Sequence, residues 1–411
     1  MKKTTTNPST PKSLHIVKNV HEEIRGLIHD ELRGAAQRLL YDIFDEELQE
    51  LCGKPFARKV GGLCHRAGSD PGSVLLQGQR VLVKKPRIKR EGREVELTSY
   101  GALQDFDLLS DKVTRHMIAG VSTRNYEGLL DEVAGSVGLK KTTVSRAFKN
   151  GSKELLESLN SRSLKNKNFF SMMIDSTNIG ERAVMTVLGI TTDGKKMVLG
   201  IRDGNTENWQ VCRDLFHDLV DRGLNIEVPI LFVVDGGKAI RKAIRKLYGD
   251  NCAIQRCTIH KLRNIEEYLP KKYHGELRRR MKRMHSMSNY DDALKEHELL
   301  LKFLESINHQ AAESLREANL ETLTAIKLRA PELLRKTIMN TNPIESIFDR
   351  IKTNCARVKN WQNSPDQVPR WAATFATEAE KHFRTIKGFK QILLVVAELE
   401  SLNLQEKLEI A

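Results

Sequence analysis

The chain has 411 residues and carries 67 Lys and Arg against 53 Asp and Glu, a formal net charge of +14. That length exceeds the roughly 100–200 residues of one domain, so two or three domains with at least one sizeable core are expected, and the charge favours a polyanionic partner or an anionic membrane surface, unless it only solvates the exterior. The longest apolar runs, such as Ile392 to Ala397 and Pro229 to Val234, fall far short of the roughly 18 residues a spanning helix needs, which excludes membrane insertion and leaves nucleic acid as the leading partner.

Met1-Lys2-Lys3 continues into Thr, Asn, Ser and Pro without an apolar core, so no secretory signal is read and a cytoplasmic location is expected. The six scattered cysteines do not resemble the dense framework of a small secreted domain and fit reduced thiols. Residues 1–12 read as a disordered leader. From Ser13 to Cys52 the apolar positions recur at helical spacing, as in Leu32, Ala35, Ala36, Leu39, Leu40 and Ile43.

A Gly-rich stretch from Gly53 to Gly72 leads into Val74 to Val83, where β-branched residues flank a Gly-containing turn as in a hairpin. It ends in the basic run Lys84-Lys85-Pro86-Arg87-Ile88-Lys89-Arg90, which can track phosphates or simply form a solvated edge. From Asp111 the helical period returns, and two short helix candidates flank Ser136-Val137-Gly138-Leu139, the outline of a helix-turn-helix over about residues 121–150. In that reading Lys140, Lys141, Thr142, Thr143, Ser145 and Arg146 begin and face the second helix, where short polar and basic side chains reach base edges and phosphates; the alternative is an ordinary helical hairpin on a basic surface. Residues 13–160 are thus expected to form a mainly helical N-terminal DNA-binding region with a small β element.

Past Ser161 to Lys167 the character shifts to strands: Phe169 to Ile174, Ala183 to Ile190 and Lys196 to Ile201, the last two flanking the turn Thr191-Thr192-Asp193-Gly194-Lys195. A helix from Asn208 to Asp221, closed by Arg222-Gly223-Leu224, precedes the buried-strand run Pro229 to Val234. Three strands, a helix and a strand suit an α/β fold with a mixed sheet, an antiparallel meander joined by helical crossovers, as in ribonuclease-H-like domains. Residues 168–265 and 340–390 are assigned to this domain, and the charged, helix-periodic stretch 266–339 to a helical insertion.

Asp175 and Asp235 each follow an apolar strand, on strands that can lie side by side; a carboxylate there needs a cation or donors to offset desolvation, although an isolated Asp-Gly is also a turn or cap. Glu345 falls in the first turn of a helix that Asn342 can cap with Pro343 as its first residue, where it can equally serve the helix dipole. Arg350 and Lys352 follow on the same helix, suited to DNA phosphates and also common on solvated faces. Cys257 and His260 stand at a chelating spacing with Cys252 as a possible third ligand, or form a packed thiol and a hydrogen-bonded imidazole.

These residues resemble the Mutator-like family of bacterial insertion-sequence transposases. The likeness rests on Asp235-Gly236, Gln255-x-Cys257-x-x-His260-x-x-Arg263-Asn264 and Asn342-x-x-Glu345, with Asp193-Gly194-Lys195-Lys196-x-Val198-Leu199-Gly200, Arg222-Gly223-Leu224, Gly120-Val121-Ser122-Thr123-Arg124 and Val144-Ser145-Arg146 in support. It covers roughly residues 70 to 365. The chain departs from the family pattern after Asp175, where Ser176-Thr177-Asn178-Ile179-Gly180 replaces a longer strand continuation, and after Asp235, at Gly237 and Lys238.

The resemblance implies a catalytic triad at Asp175, Asp235 and Glu345 in a ribonuclease-H-like fold with a helical insertion before the glutamate, and marks Cys257 and His260 as a signature pair near the site. Oxygen ligands with open water positions suit Mg2+, with Mn2+ as substitute, for metal-dependent strand cleavage and strand transfer. The expected partners are double-stranded DNA as terminal inverted repeats and target, and further copies of the chain, in the bacterial cytoplasm at the nucleoid. A non-catalytic DNA-binding repressor and a same-fold nuclease without strand transfer are the rival readings.

Overall fold

The structure is a computed structural model that describes residues 12–54, 64–76, 79–104, 106–121, 136–137, 141–204, 209–249, 252–358, 360–361 and 364–410. The chain is mixed α/β and divides between Gly151 and Ser152 into two compact units, each with its own sheet. The expected leader, residues 1–12, lies outside the described residues except Lys12, which opens the first helix. Among the described residues no helix is long and apolar enough to cross a membrane.

The first unit opens with the long helix α1 (Lys12–Cys52). Leu40, Phe44, Leu48 and Cys52, four residues apart, form one stripe, and that stripe buries itself on Val74, Val81, Val83 and Ile88. These belong to an antiparallel pair, β1 (Cys64–Leu76) and β2 (Gln79–Arg90); the expected turn at Gln77 and Gly78 lies outside the described residues. The basic run lies on β2, which also pairs with β3 (Arg93–Val95). Two helices follow, α2 (Thr98–Ala102) and α3 (Phe106–Ile118), and the Glu47 carboxylate of α1 accepts from the Thr98 and Ser99 amides at 2.6 and 2.9 Å, satisfying free donors at the start of α2.

The helix-turn-helix reading fares unevenly. Its first helix falls on residues 122–135, outside the described residues. Ser136–Val137 is a short strand, β4, paired with Arg80 and Val81 of β2, and the helix after it, α4 (Lys141–Ser161), runs 21 residues rather than being short. Its length follows from Val144, Ala147 and Phe148 and then Leu159, all buried along it.

The second unit is built on a five-stranded sheet in the order β7-β6-β5-β8-β9: β5 (Phe169–Ile179), β6 (Arg182–Thr191), β7 (Lys196–Gly204), β8 (Ile230–Val234) and β9 (Cys252–Arg256). β5, β6 and β7 form the antiparallel meander, while β8 pairs in parallel with β5, and β9 with β8. The crossover helices α5 (Trp209–Asp221) and α6 (Lys238–Tyr248) cover one face, packing Leu215, Phe216, Ile240 and Ile244 on Met172, Ile174, Phe232 and Val234. Gly223, at φ +98°, ends α5 as its sequence indicates. β9 is an additional strand that the sequence reading did not resolve.

From β9 the chain enters α7 (Thr258–Glu266), then a run of helices: α8 (Lys271–Ser286), α9 (Tyr290–Glu305), α10 (His309–Glu317), a 3-10 turn at Asn319–Leu323, α11 (Thr324–Lys327) and α12 (Glu332–Ile338). Asn289 and Asn308 cap α9 and α10 through side-chain oxygens that accept from Asp291 N and Gln310 N, each at 2.8 Å. The segment after α10 covers the outer edge of β9. The Thr324 hydroxyl donates to the Ile254 carbonyl at 2.7 Å, and the Gln255 side chain bridges the Thr322 carbonyl and the Ala325 amide. Helix α13 (Asn342–Cys355) then touches β5 and β6, and α14 (Gln367–Glu380) touches β6 and β7; α15 (Ile392–Ile410) closes the chain.

Candidate active site

β5 and β8 are in register from Ser171↔Leu231 to Ile174↔Val234. One residue beyond that last pair stand Asp175 and Asp235, so the parallel register alone brings the two aspartates to the same end of the sheet. Met172 and Ile174 face α5 and α6, and strand alternation therefore turns Asp175 to the other face, where α13 lies. Asp175 does not end its strand as expected. β5 continues to Ile179, paired with β6 alone, because β8 stops at Val234. The supposed break at Ser176 to Gly180 is thus regular strand as far as Ile179.

Asp235 leaves β8 into a loop closed by Gly236 at φ +112°. Only glycine fits there: a Cβ would lie 2.0 Å from the Arg256 guanidinium carbon, on a backbone that L side chains rarely adopt. The Asp235 carboxylate accepts from the Gly237 amide at 3.0 Å, fixing the turn into α6.

Cys257 follows β9, its amide donating to the Val234 carbonyl at 2.8 Å, and one turn of α7 carries His260 back toward Asp175. Thr341 precedes α13, and its buried hydroxyl lies 3.3 Å from His260 Nδ1 and donates to Cys257 Sγ at 3.5 Å. This corrects the expected cap. Asn342 is the first residue of α13 rather than its cap, Thr341 holds the cap position without a side-chain cap bond, and its hydroxyl serves the Cys257–His260 pair instead. Glu345 does sit in the first turn, with Oε1 at 3.7 Å from both His260 Nε2 and Arg263 Nη1.

Ligand atoms of Asp175, His260 and Glu345 all lie within 4.8 Å of one another, the sole such group among the described residues. Asp235 is outside this close set but near enough to act on both Asp175 and His260 through charge. Burial drives the Asp175 carboxyl up to about 6, with His260 opposing and Asp235 adding to the rise. His260 is pushed up to about 9, first by its hydrogen bond with Cys257 and then by the two aspartates. Burial alone would raise the Cys257 thiol, but hydrogen bonds from His260 and Thr341 hold it below its ordinary value.

A divalent cation fits this set. Glu345 Oε1 is inaccessible and has no hydrogen-bond partner, and a half-buried carboxylate close to the buried Asp175 is an arrangement that a bound cation relieves. Cys252 cannot join. It begins β9 while Cys257 follows its far end, about 16 Å away at strand rise, and its thiol donates to the Gly249 carbonyl.

The predicted nucleic-acid residues are more scattered. Lys140 lies outside the described residues and Lys141 opens α4; along that helix Ser145 and Arg146 are exposed and Thr143 is half-buried. Arg350 and Lys352 are exposed on α13. Sequence reasoning gave no role to Thr341, Arg256, Lys261 and Glu317, whose roles depend on long-range partners. Only the placement of Arg256 beside the Cys257 signature offered a hint.

The pattern of the family described as "Transposase, Mutator family" matches residues 9–385. The chain is similar to the transposase for insertion sequence element IS1201 of Lactobacillus helveticus, 28% identical over 338 residues, covering 79% of this chain and 88% of that protein. It is likewise similar to the transposase for IS905 of Lactococcus lactis, 25% identical over 379 residues (89% and 93%). With the transposase for IS256 in transposon Tn4001 of Staphylococcus aureus it shares 26% identity over 279 residues (64% and 69%). With the matched pattern spanning both units, the chain belongs to the Mutator family of transposases.

Proposed function

We propose that this protein binds the ends of its own insertion element and performs metal-dependent DNA strand cleavage followed by strand transfer, with Asp175, Asp235 and Glu345 as the catalytic acids. The observation that carries the reading is the meeting of Asp175 with Glu345 and His260 beside Asp235, from elements far apart in sequence. The meander followed by two parallel strands supports assigning the sheet to the ribonuclease-H-like class. The helices α8 to α12 then form the insertion before the glutamate.

In this reading Asp175, Asp235 and Glu345 hold Mg2+ or Mn2+. When bound, the metal supplies a more acidic attacking water or 3′-hydroxyl and stabilises the leaving oxygen. Thr341 and Cys257 fix the His260 ring, and Arg263, cationic and more than half exposed, meets a phosphate arriving at Glu345. Thr143, Ser145 and Arg146, with Lys140 and Lys141, contact the terminal inverted repeats, while Arg350 and Lys352 contact flanking or target duplex. Two element ends must be brought together, which calls for a homo-oligomer on DNA.

The test is cleavage and joining of duplexes that carry the element's ends, with Mg2+, comparing the unaltered protein with Asp235→Ala and Glu345→Ala. Joined products lost in both variants would support the proposal. Cleavage without joining in the unaltered protein would make it a nuclease, and binding without cleavage a repressor.

A further inference from the structure

Lys196, the first residue of β7, reaches into a concavity of about 300 Å3 that Arg350 of α13 and His382, Phe383 and Arg384 after α14 also line. Its ammonium lies 5.0 Å from the centroid of the Phe383 ring. Several basic residues nearby in sequence or on the same sheet are paired: Lys195, one residue earlier, with Asp193 at 2.7 Å, Arg162 with Glu380 at 2.7 Å and Arg222 with Asp218 at 2.8 Å. The His382 ring has Glu378 at 3.4 Å. Lys196, Arg350 and Arg384 have no carboxylate partner among the described residues, yet they converge on one concave site. Lys196 is half-buried, and burial lowers its pKa. A partly desolvated ammonium flanked by two unpaired guanidiniums calls for an anion from outside the chain.

Arg350 is five residues after Glu345 on α13, about 7.5 Å further along the helix axis and about 140° around it, so the two side chains do not share a face. We propose that Lys196, Arg350 and Arg384 form a seat for a backbone phosphate of duplex DNA. The inference rests on the DNA-processing reading above and adds a contact that positions the duplex without reading its sequence.

Salt dependence of binding tests it, by fluorescence anisotropy on an element-end duplex and an unrelated duplex. Arg350→Gln with Arg384→Gln, both exposed positions, is expected to weaken both duplexes equally and to reduce the slope of log K against log salt by about one, the share of a single phosphate. Arg350→Lys with Arg384→Lys should restore most of the slope. Lys271→Gln with Lys302→Gln, which removes the same charge from exposed positions elsewhere in the unit, should leave it nearly unchanged. An unchanged slope in the glutamine pair overturns the seat, as does an equal loss in the control pair. Calorimetry with inorganic phosphate separates the remaining source: loss of phosphate binding with an unaltered DNA slope would assign the seat to a free phosphate and overturn the DNA assignment. If the unaltered protein binds no duplex, the transposase reading itself fails, and the seat's DNA assignment with it.

Discussion

Arg256 and Glu317 meet through two parallel hydrogen bonds, Nη1 to Oε1 at 3.0 Å and Nη2 to Oε2 at 2.9 Å, tying the end of β9 to the last residue of α10. The same Glu317 accepts from Lys261 Nζ at 3.0 Å, one residue past His260. One carboxylate thus restrains the arginine that sits against Gly236, beside Asp235, and the turn of helix that carries His260. Arg256 and Lys261 are both almost fully buried, so removing their common partner leaves Lys261 with the Ser314 carbonyl at 2.8 Å and Arg256 with the Glu321 carboxylate at 4.0 Å.

Glu317→Gln should therefore destabilise the protein by about 2–3 kcal/mol, less than the roughly 3–5 of a fully buried pair because the Glu317 side chain is 42% exposed. Urea denaturation measures this. A change below about 0.5 kcal/mol would mean that solvent replaces the carboxylate.

The same substitution has a pH signature. Burial would raise the Glu317 carboxyl, but hydrogen bonds from Arg256 and Lys261 hold it at about 2, below the ordinary 4.5. A depressed carboxylate contributes stability that is full above 4.5 and is lost as pH falls toward 2. The stability gap between the unaltered protein and Glu317→Gln is accordingly expected to narrow below pH 4.5 and to stay constant from pH 6 to 8. A gap constant down to pH 3 would contradict the pairing.

Gly236→Ala places a methyl group on the Arg256 guanidinium at a positive φ. Backbone strain alone costs about 1–3 kcal/mol, and the displaced loop carries Asp235. Cleavage should fall at least about a hundredfold while duplex affinity, measured separately, holds. Retained cleavage would show that the loop has room the structure does not provide.

Thr341→Val keeps the shape of a buried residue and deletes the hydroxyl between His260 and Cys257. A stability loss of about 1 kcal/mol is expected from the lost hydrogen bonds, with cleavage reduced by roughly tenfold as the His260 ring loses its anchor. The stability loss without any change in cleavage would make Thr341 structural only.

Direct titration calorimetry with Mn2+ addresses the ligand set. Asp175→Asn and Glu345→Gln should each weaken binding by about tenfold or more, and Cys257→Ser much less, since its sulfur holds His260 rather than joining the acids. Equal losses in all three would move the metal toward the cysteine.

The sequence made the acids legible because two sit at the edge of short apolar runs and the third follows an Asn-Pro helix start. The far half of β5 was not, since the polar run Ser176, Thr177 and Asn178 breaks the apolar pattern of the strand. They hold strand conformation because β6 continues beside them after β8 has ended. β9 was hidden for a related reason. Gln255 and Arg256 are buried polar residues whose partners, Thr322, Ala325 and Glu317, lie more than sixty residues away, and no local pattern encodes them. Thr341 likewise drew no role because its hydroxyl lies against His260, 81 positions away.

The cover over β9 also sets where the chain can vary in length. An uncovered outer strand offers its peptide groups to any other chain, a template for aggregation, and here Thr322 to Ala325 occupy that edge. Residues added or deleted between Asn319 and Ala325 would reopen it. In the turn between α8 and α9 the half-buried Met287 carbonyl accepts from Arg335, while Ser288 is exposed and covers no strand edge. Epitopes, fluorophore loops and affinity tags placed inside the helical run are best accepted there, and a version trimmed of its helices from α8 to α12 should precipitate rather than survive as a smaller catalytic domain.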